Sequence, residues 1–252
     1  MPPPTPARLC AMSATVVEVR SGGAMRRGPV EPGESWAGAA HRLGVGLGGD
    51  PVPLDLSGEV KVFLIDFTRT VGLRPMTRGD LRDIARWRAA PHVEKWWHSD
   101  GSPDLETVTA RYGRDIDGAT PTTMWAIEVN GRSVGFLQEY RLSDYPEYAQ
   151  LTPDPDAIGC DFAIGEPAWV GRGLGTRALG AWAAGVRDRF TDAQHCFAAP
   201  DHRNGASLRA LAKAGFTPGT WFDEPEADGT TTTVVGCTLD LDRVLGPHAP
   251  TR

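Results

Sequence analysis

The stretch that decides the fold is Val170-Gly171-Arg172-Gly173-Leu174-Gly175-Thr176. It follows a short apolar run at 157–164 and precedes a pattern with helical period, so it is expected to be a strand-to-helix turn. Glycines there let consecutive backbone N–H groups turn toward one point without a Cβ in the way, and the helix that follows adds the positive end of its dipole. A pyrophosphate suits such a cradle. A glycine-rich hexapeptide also occurs as an ordinary turn, so its meaning rests on its surroundings.

In the helix after the loop, Leu174, Ala178, Trp182 and Val186 share one face at i+4 spacing with Leu179 beside them, while Arg177, Asp188 and Arg189 are expected in water. A second strand is expected at 196–199. Asn204 then caps a helix that carries Leu208, Leu211 and Ala212 and ends at Lys213-Ala214-Gly215-Phe216. Two parallel βα units follow.

These two motifs, in this order and about thirty residues apart, resemble the GNAT superfamily of N-acetyltransferases. Its acyl-CoA loop usually reads Gln or Arg, two residues, Gly, one residue, Gly or Ala, and its later signature is Asn followed by a helix ending Lys-x-Gly-Phe. Val170 departs from the first position and loses a side-chain donor there, but the backbone cradle and the charge of Arg172 remain. The resemblance implies an α/β (α+β) fold with a mixed central sheet flanked by helices, and acetyl-CoA as acyl donor. It assigns acyl-CoA binding to Phe162, Ala163, Ile164, Val170, Gly171, Arg172, Gly173, Leu174, Gly175, Thr176 and Asn204.

The rest of the chain sets bounds. At 252 residues it can bury one sizeable core plus an appendage. A net charge of -6 argues against nucleic acid as a partner, because phosphate binding needs a basic surface. Cys10, Cys160, Cys196 and Cys237 form no C-x-x-C pair and have no His at metal-ligand spacing, so no metal site is expected. The N-terminus carries Pro2 to Pro4 instead of an apolar leader, and no apolar run has membrane-spanning length. A cytoplasmic protein with no membrane partner, monomeric or homodimeric, is expected.

Residues 1–70 read as an extension of short strands and glycine-marked turns, and 71–246 as the catalytic domain. Residues 1–12 are expected to be unstructured, with Met12 or Met25 as alternative starts. A strand is expected at 60–67, and 70–75 resembles the superfamily's first core strand. A helix begins at Thr77 or Asp80 and ends at Pro91; another, capped by Ser102, runs to about Ile116. Strands at 122–129 and 133–141 join through Asn130-Gly131 as a hairpin.

Of Trp96 and Trp97, adjacent on irregular backbone, one is expected in the core and the other beside a cleft, where an indole can stack on a sugar or a cation. The run from Glu94 to Trp97, Gln138 on the second hairpin strand, and Gly159-Cys160-Asp161 are similar to aminoglycoside 6′-N-acetyltransferases over about 71–240. That likeness implies a tryptophan lining the antibiotic cleft and an Asp essential for handling the amine, here Asp161, with Trp96, Trp97, Gln138 and Asp144 as further substrate contacts. From 142 to 171 there are six acids and no Lys, Arg or His, so the segment either steers a cationic small-molecule amine or is simply solvated. Asp161, a carboxylate inside an apolar run, needs a cation, a donor or a proton to sit there.

The implied chemistry is direct acyl transfer without a covalent enzyme intermediate. Asp161 binds the ammonium and accepts its proton directly or through water, and a backbone N–H near 162–164 donates to the thioester oxygen. Two departures bear on this. Leu211 stands where the superfamily commonly places a Tyr to protonate the leaving thiolate, though a thiol pKa near ~8.5 lets water do so. Ala199-Pro200 replaces a frequent Asp-Pro, leaving a second carboxylate missing or displaced to Asp201. The run Asp201-His202-Arg203-Asn204 is also similar to siderophore-pathway acyltransferases, which acylate a lysine or hydroxylysine amine but carry His where Asp161 stands. A catalytically silent acyl-CoA-binding module is the remaining alternative.

Overall fold

The computed structural model describes residues 16–21, 24–31, 34, 36–44, 52–57, 60–64, 71–97, 101–150, 152–226 and 229–245. The expectations for residues 1–12, including a start at Met12, and the end of the strand expected at 60–67 lie outside them.

The N-terminal part pairs β1 (Val16–Ser21) with β2 (Ala24–Pro29), passes through α1 (Trp36–Gly44), and adds β3 (Val52–Asp55) and β4 (Val60–Leu64), giving a four-stranded sheet of order β2-β1-β4-β3. The helix corrects the expectation of strands alone. Trp36, Ala39, Ala40 and Leu43 recur at helical spacing and turn one face onto β1.

The rest of the chain builds a seven-stranded sheet. It runs β5 (Val71–Pro75), α2 (Leu81–Arg88), α3 (Pro91–Glu94), α4 (Leu105–Ile116), β6 (Thr123–Val129), β7 (Arg132–Arg141), α5 (Pro146–Ala149) and β8 (Ile158–Ile164). Then come α6 (Leu174–Arg189), β9 (His195–Ala198), α7 (Gly205–Ala214), β10 (Thr217–Pro225), β11 (Thr231–Asp240) and α8 (Leu241–Leu245). The spatial order is β10-β11-β9-β8-β7-β6-β5, antiparallel except between β8 and β9. The β6–β7 hairpin turns at Asn130 and Gly131 with φ of 51° and 75°.

Several helix starts follow local chemistry. The Thr77 backbone N–H and hydroxyl both donate to Asp80, at 2.7 and 3.0 Å, ahead of α2. The cap of α4 is Asp104, not Ser102: its carboxylate accepts the Thr107 N–H at 2.9 Å, and Ser102 instead accepts the N–H of Asp104.

Alternation along the strands sorts side chains onto two faces. Ile127, Leu137, Ile158 and Cys160 meet the α6 stripe of Leu174, Ala178, Leu179, Trp182 and Val186, while Ala126, Phe136 and Ala163 meet Ile84 and Trp87 of α2 and Val108 and Tyr112 of α4. Val17 and Val19 of β1, Ala39 and Ala40 of α1, and Leu56 just after β3 belong to the α6-side core. Arg177, expected in water, is buried, because β3 packs along α6 and covers surface that the helix alone would leave wet.

Arg189 is exposed, as expected, and its guanidinium reaches back to Glu139. That carboxylate is 1% exposed and accepts from Trp182 Nε1 at 2.7 Å, Trp125 Nε1 at 3.3 Å, and Arg189 Nε and Nη2 at 3.1 and 2.5 Å. A buried carboxylate is tolerated because four donors replace its water. Glu139→Ala strands those donors and should lower unfolding free energy by about 3 kcal/mol, read by urea titration. A loss below about 1 kcal/mol, the scale of one ordinary hydrogen bond, would show that the cluster adds nothing collective.

Candidate active site

β8 pairs with β7 along its whole length, from Ile158 opposite Arg141 to Ile164 opposite Gly135. With β9 it pairs only at Ile158 and Gly159, opposite Cys196 and Phe197. Beyond that point the two parallel strands part, and a cavity of about 610 Å³ opens between 160–164 on one side and 197–201 on the other. The parting exposes one edge of β8 in mid-sheet, where backbone groups need partners.

At one end of the cavity lies the glycine loop. Gly171 and Gly173 both have φ of 74°, a region open mainly to glycine, and Gly173 is the N-cap of α6 with no side chain to satisfy the first-turn N–H groups. Gly171, Gly173, Leu174, Gly175 and Thr176 line the cavity, as do Val170, Phe162, Ala163, Ile164 and Asn204. Arg172 does not; its guanidinium lies 5.6 Å from the centroid of Trp169. Asn204 caps α7 by accepting the Ser207 N–H at 3.1 Å, and the Thr176 hydroxyl donates to the Ala210 carbonyl at 3.3 Å, fixing α6 against α7. Arg209 and Lys213, one turn apart on α7, line the same cavity and bring cations that motif spacing did not mark as phosphate partners. The open cradle and these cations fit a pyrophosphate.

At the other end, Gln138 stands directly opposite Asp161 in the β7–β8 register, so alternation places both on one face with Phe136 and Tyr140. The Tyr140 hydroxyl donates to Asp161 Oδ2 at 3.0 Å. Gly159 has no room for a side chain, since a Cβ there would sit 2.6 Å from the Tyr140 ring. Trp97 tilts onto Phe136 with centroids 4.8 Å apart, whereas Trp96 is half-buried with the Lys95 ammonium 4.9 Å from its ring. Both indoles line the cavity, so neither is a purely core residue. Their segment is pinned at both ends: buried Arg88 donates to the carbonyls of Trp97 and Gly101 at 2.9 and 2.8 Å, and the His92 ring bonds the Ile164 carbonyl at 2.9 Å.

The acidic segment behaves differently from its sequence pattern. Asp144 is exposed in a 3-10 turn and is not among the cavity-lining residues, although its neighbours Leu142 and Tyr145 are. Asp154 pairs with His195 at 2.6 Å, and Glu166 accepts from Arg86 at 2.6 Å and from Trp87 Nε1 at 3.1 Å, which holds its carboxyl below the usual range. The missing bases arrive from other segments of the chain. The acids that do line the cavity with Asp161 are Asp201, Glu224 and Glu226. Asp201 is neutralised by Arg203 at 2.6 Å and caps its backbone N–H at 2.7 Å, while the His202 ring bonds the Thr233 carbonyl. The Asp-His-Arg-Asn run is therefore a turn, and neither His202 nor Arg203 is among the residues lining the cavity. Leu211 is fully buried on the α6 side and is not among the residues lining the cavity. Cys160 is among the residues lining the cavity, but its side chain belongs to the α6-side core, where burial and then the charge of Asp161 push the thiol well above its ordinary value.

Residues 77–224, more than half of the chain, match the acetyltransferase (GNAT) domain family. The chain belongs to the GNAT family. Aminoglycoside N(6′)-acetyltransferase type 1 of Klebsiella pneumoniae is 28% identical over 171 residues, 66% of this chain and 79% of that protein. The protein of that name from Serratia marcescens matches equally. Among solved structures, AAC(6′)-Ib in complex with paromomycin and acetyl-CoA aligns with TM-score 0.61 and 22% identity, over 72% of this chain and 99% of that one. An aminoglycoside N(6′)-acetyltransferase from Legionella pneumophila aligns with TM-score 0.53 and 20% identity, over 69% and 94%. These likenesses show a shared fold, a mixed central sheet flanked by helices.

Gly173→Asp should weaken coenzyme A binding more than about tenfold by calorimetry, since it places a side chain at a φ of 74° and a negative charge beside the helix N-terminus. Affinity unchanged within about twofold would place the pyrophosphate elsewhere.

Proposed function

We propose that this protein is an acetyl-CoA-dependent aminoglycoside N-acetyltransferase acting on a primary amine, the 6′-amine by likeness to its curated relatives. The observation that carries this reading is the continuity of one cavity from a phosphate-type cradle at Gly171–Thr176 to a carboxylate, Asp161, flanked by an indole and an amide. The acyl donor supplies the activated thioester. We further propose residues 71–246 as the acetyltransferase domain and 1–70 as an appendage to it.

The glycine loop, the α6 N-terminus, Arg209, Lys213 and Asn204 hold the donor's phosphates and arm, and the edge of β8 at 162–164 that β9 leaves unpaired offers backbone N–H groups to the arm and the thioester oxygen, its Ile164 carbonyl being bonded by His92. Asp161, fixed by Tyr140, anchors the acceptor ammonium, with Gln138 beside it and Trp96 and Trp97 as surfaces for a sugar ring. Holding amine and thioester together supplies much of the acceleration. The amine attacks the thioester carbonyl directly, with no covalent enzyme intermediate. The leaving thiolate takes its proton from water, its basicity being close to that of an ordinary thiol.

Thiol release from acetyl-CoA with a panel of aminoglycosides, polyamines and lysine derivatives tests this. Aminoglycosides bearing a 6′-amine should exceed lysine derivatives by about 10²-fold in kcat/KM, the scale of a few additional polar contacts. Preference for lysine derivatives would favour the siderophore-type reaction, and no release with any amine a silent binding module. Asp161→Asn should cost roughly ten- to a hundredfold in kcat/KM, the worth of one charge-assisted hydrogen bond, with acetyl-CoA affinity and melting temperature unchanged. Lowered melting with normal turnover would make Asp161 a structural residue instead.

A further inference from the structure

The cavity holds a second carboxyl that sequence patterning did not single out. β10 is an edge strand whose side chains alternate: Trp221 and Asp223 are exposed, while Phe222 and Glu224 are half-buried and line the cavity. Glu224 pairs across β11 with Thr232, which also lines it. The two carboxyls differ in how they are held. Asp161 is tied to the hydroxyl of Tyr140 at 3.0 Å, on the rigid β7–β8 pair, whereas Glu224 accepts from Tyr148 of the short helix α5.

Resting on the aminoglycoside reading above, we propose that Glu224 takes the proton from the acceptor ammonium, while Asp161 is the fixed anion that anchors it. The groups facing Glu224 are Asp161 of β8, Tyr140 of β7, Tyr148 of α5 and Glu226 on its own strand's end; Lys95 and Arg111 also line the cavity. Burial first, then the charge of Asp161, pushes the Glu224 carboxyl up to about 7, with Glu226 adding and the Tyr148 hydrogen bond opposing. A group titrating there is matched to proton transfer near neutral pH. Two neighbouring carboxyls resist double ionisation until a cation arrives, so the incoming ammonium itself ionises Glu224.

The step balances. The ionised Glu224 removes one N–H proton, and the freed lone pair attacks the thioester carbonyl carbon. A C–N bond forms and the C–S bond breaks, the thiolate leaving with that electron pair. The second amine proton passes to water, which protonates the thiolate, and Glu224 returns its own to solvent. The products are the amide, free coenzyme A and one released proton.

The raised pKa also has a stability sign. A folded-state carboxyl at about 7 against an ordinary 4.5 contributes stability below 4.5 that is lost as pH rises to about 7. Glu224→Gln should therefore melt higher than wild type at pH 8 and similarly near pH 4.5.

The test is the pH profile of aminoglycoside acetylation by the full chain and its variants, with melting temperatures on the same preparations. Wild-type kcat/KM should rise along a limb near pH 7. Glu224→Gln should lose that limb and about 10²-fold or more of kcat, Glu224→Asp should recover part of both, and Asp161→Asn should raise KM with the limb retained but moved to lower pH, the charge that helped raise it being gone. A Glu224→Gln enzyme that keeps the limb and kcat within about threefold would overturn this assignment alone. Wild type without turnover on any aminoglycoside would overturn it together with the functional reading.

Discussion

The parting of β8 from β9 after two paired residues is the constraint on which the rest depends. An interior strand that abandons its neighbour leaves backbone donors and acceptors facing a gap, which is costly unless something polar fills it. Here the gap leads at one end to a glycine turn and helix N-terminus and at the other to Asp161 and Glu224, so the two ends favour ligand groups of opposite charge. On the proposed reading, a donor rich in phosphate and an acceptor rich in ammonium would be drawn to different ends of one cavity, with the exposed edge between them.

The split can persist because each strand is anchored elsewhere. β8 is paired to β7 through all seven residues, β9 to β11 through four, and α6 bridges back beneath the sheet to Glu139. Asp80, pulled down to about 2 mainly by the Arg74 guanidinium, fixes the start of α2, and buried Arg88 on that helix in turn pins the tryptophan segment. The wall of the cavity that carries Trp96 and Trp97 is thus held by ion pairs and hydrogen bonds of its own.

Much of this was legible in the chain. The glycine loop, the α6 stripe, the Asn204 cap, the αL end at Gly215 and the Asn130-Gly131 hairpin are local features, each set by residues within a few positions of one another. Asp161 also stood out, as a charge within an apolar run. What escaped was long-range. Arg86, remote in sequence, neutralises Glu166, and the His195 ring bonds Asp154, so a base-free segment was no guide to its field. Glu224 looked like an ordinary edge-strand acid until β11 brought it opposite Asp161, and Arg209 and Lys213 took meaning only when α7 met the loop. The N-terminal sheet hid its packing in the same way: the Leu56 N–H donates to the Lys213 carbonyl at 2.8 Å, and Leu54 comes within 3.9 Å of where a Cβ on Gly173 would lie, next to the cradle.

A crystal structure of the full chain with coenzyme A and an aminoglycoside tests the central claim most directly. The account predicts the pyrophosphate at Gly171–Thr176, the thiol arm in the gap between β8 and β9, and the reacting amine within hydrogen-bond reach of Asp161 and Glu224. Coenzyme A bound outside that gap, or an aminoglycoside whose amines all lie away from both carboxyls, would contradict it.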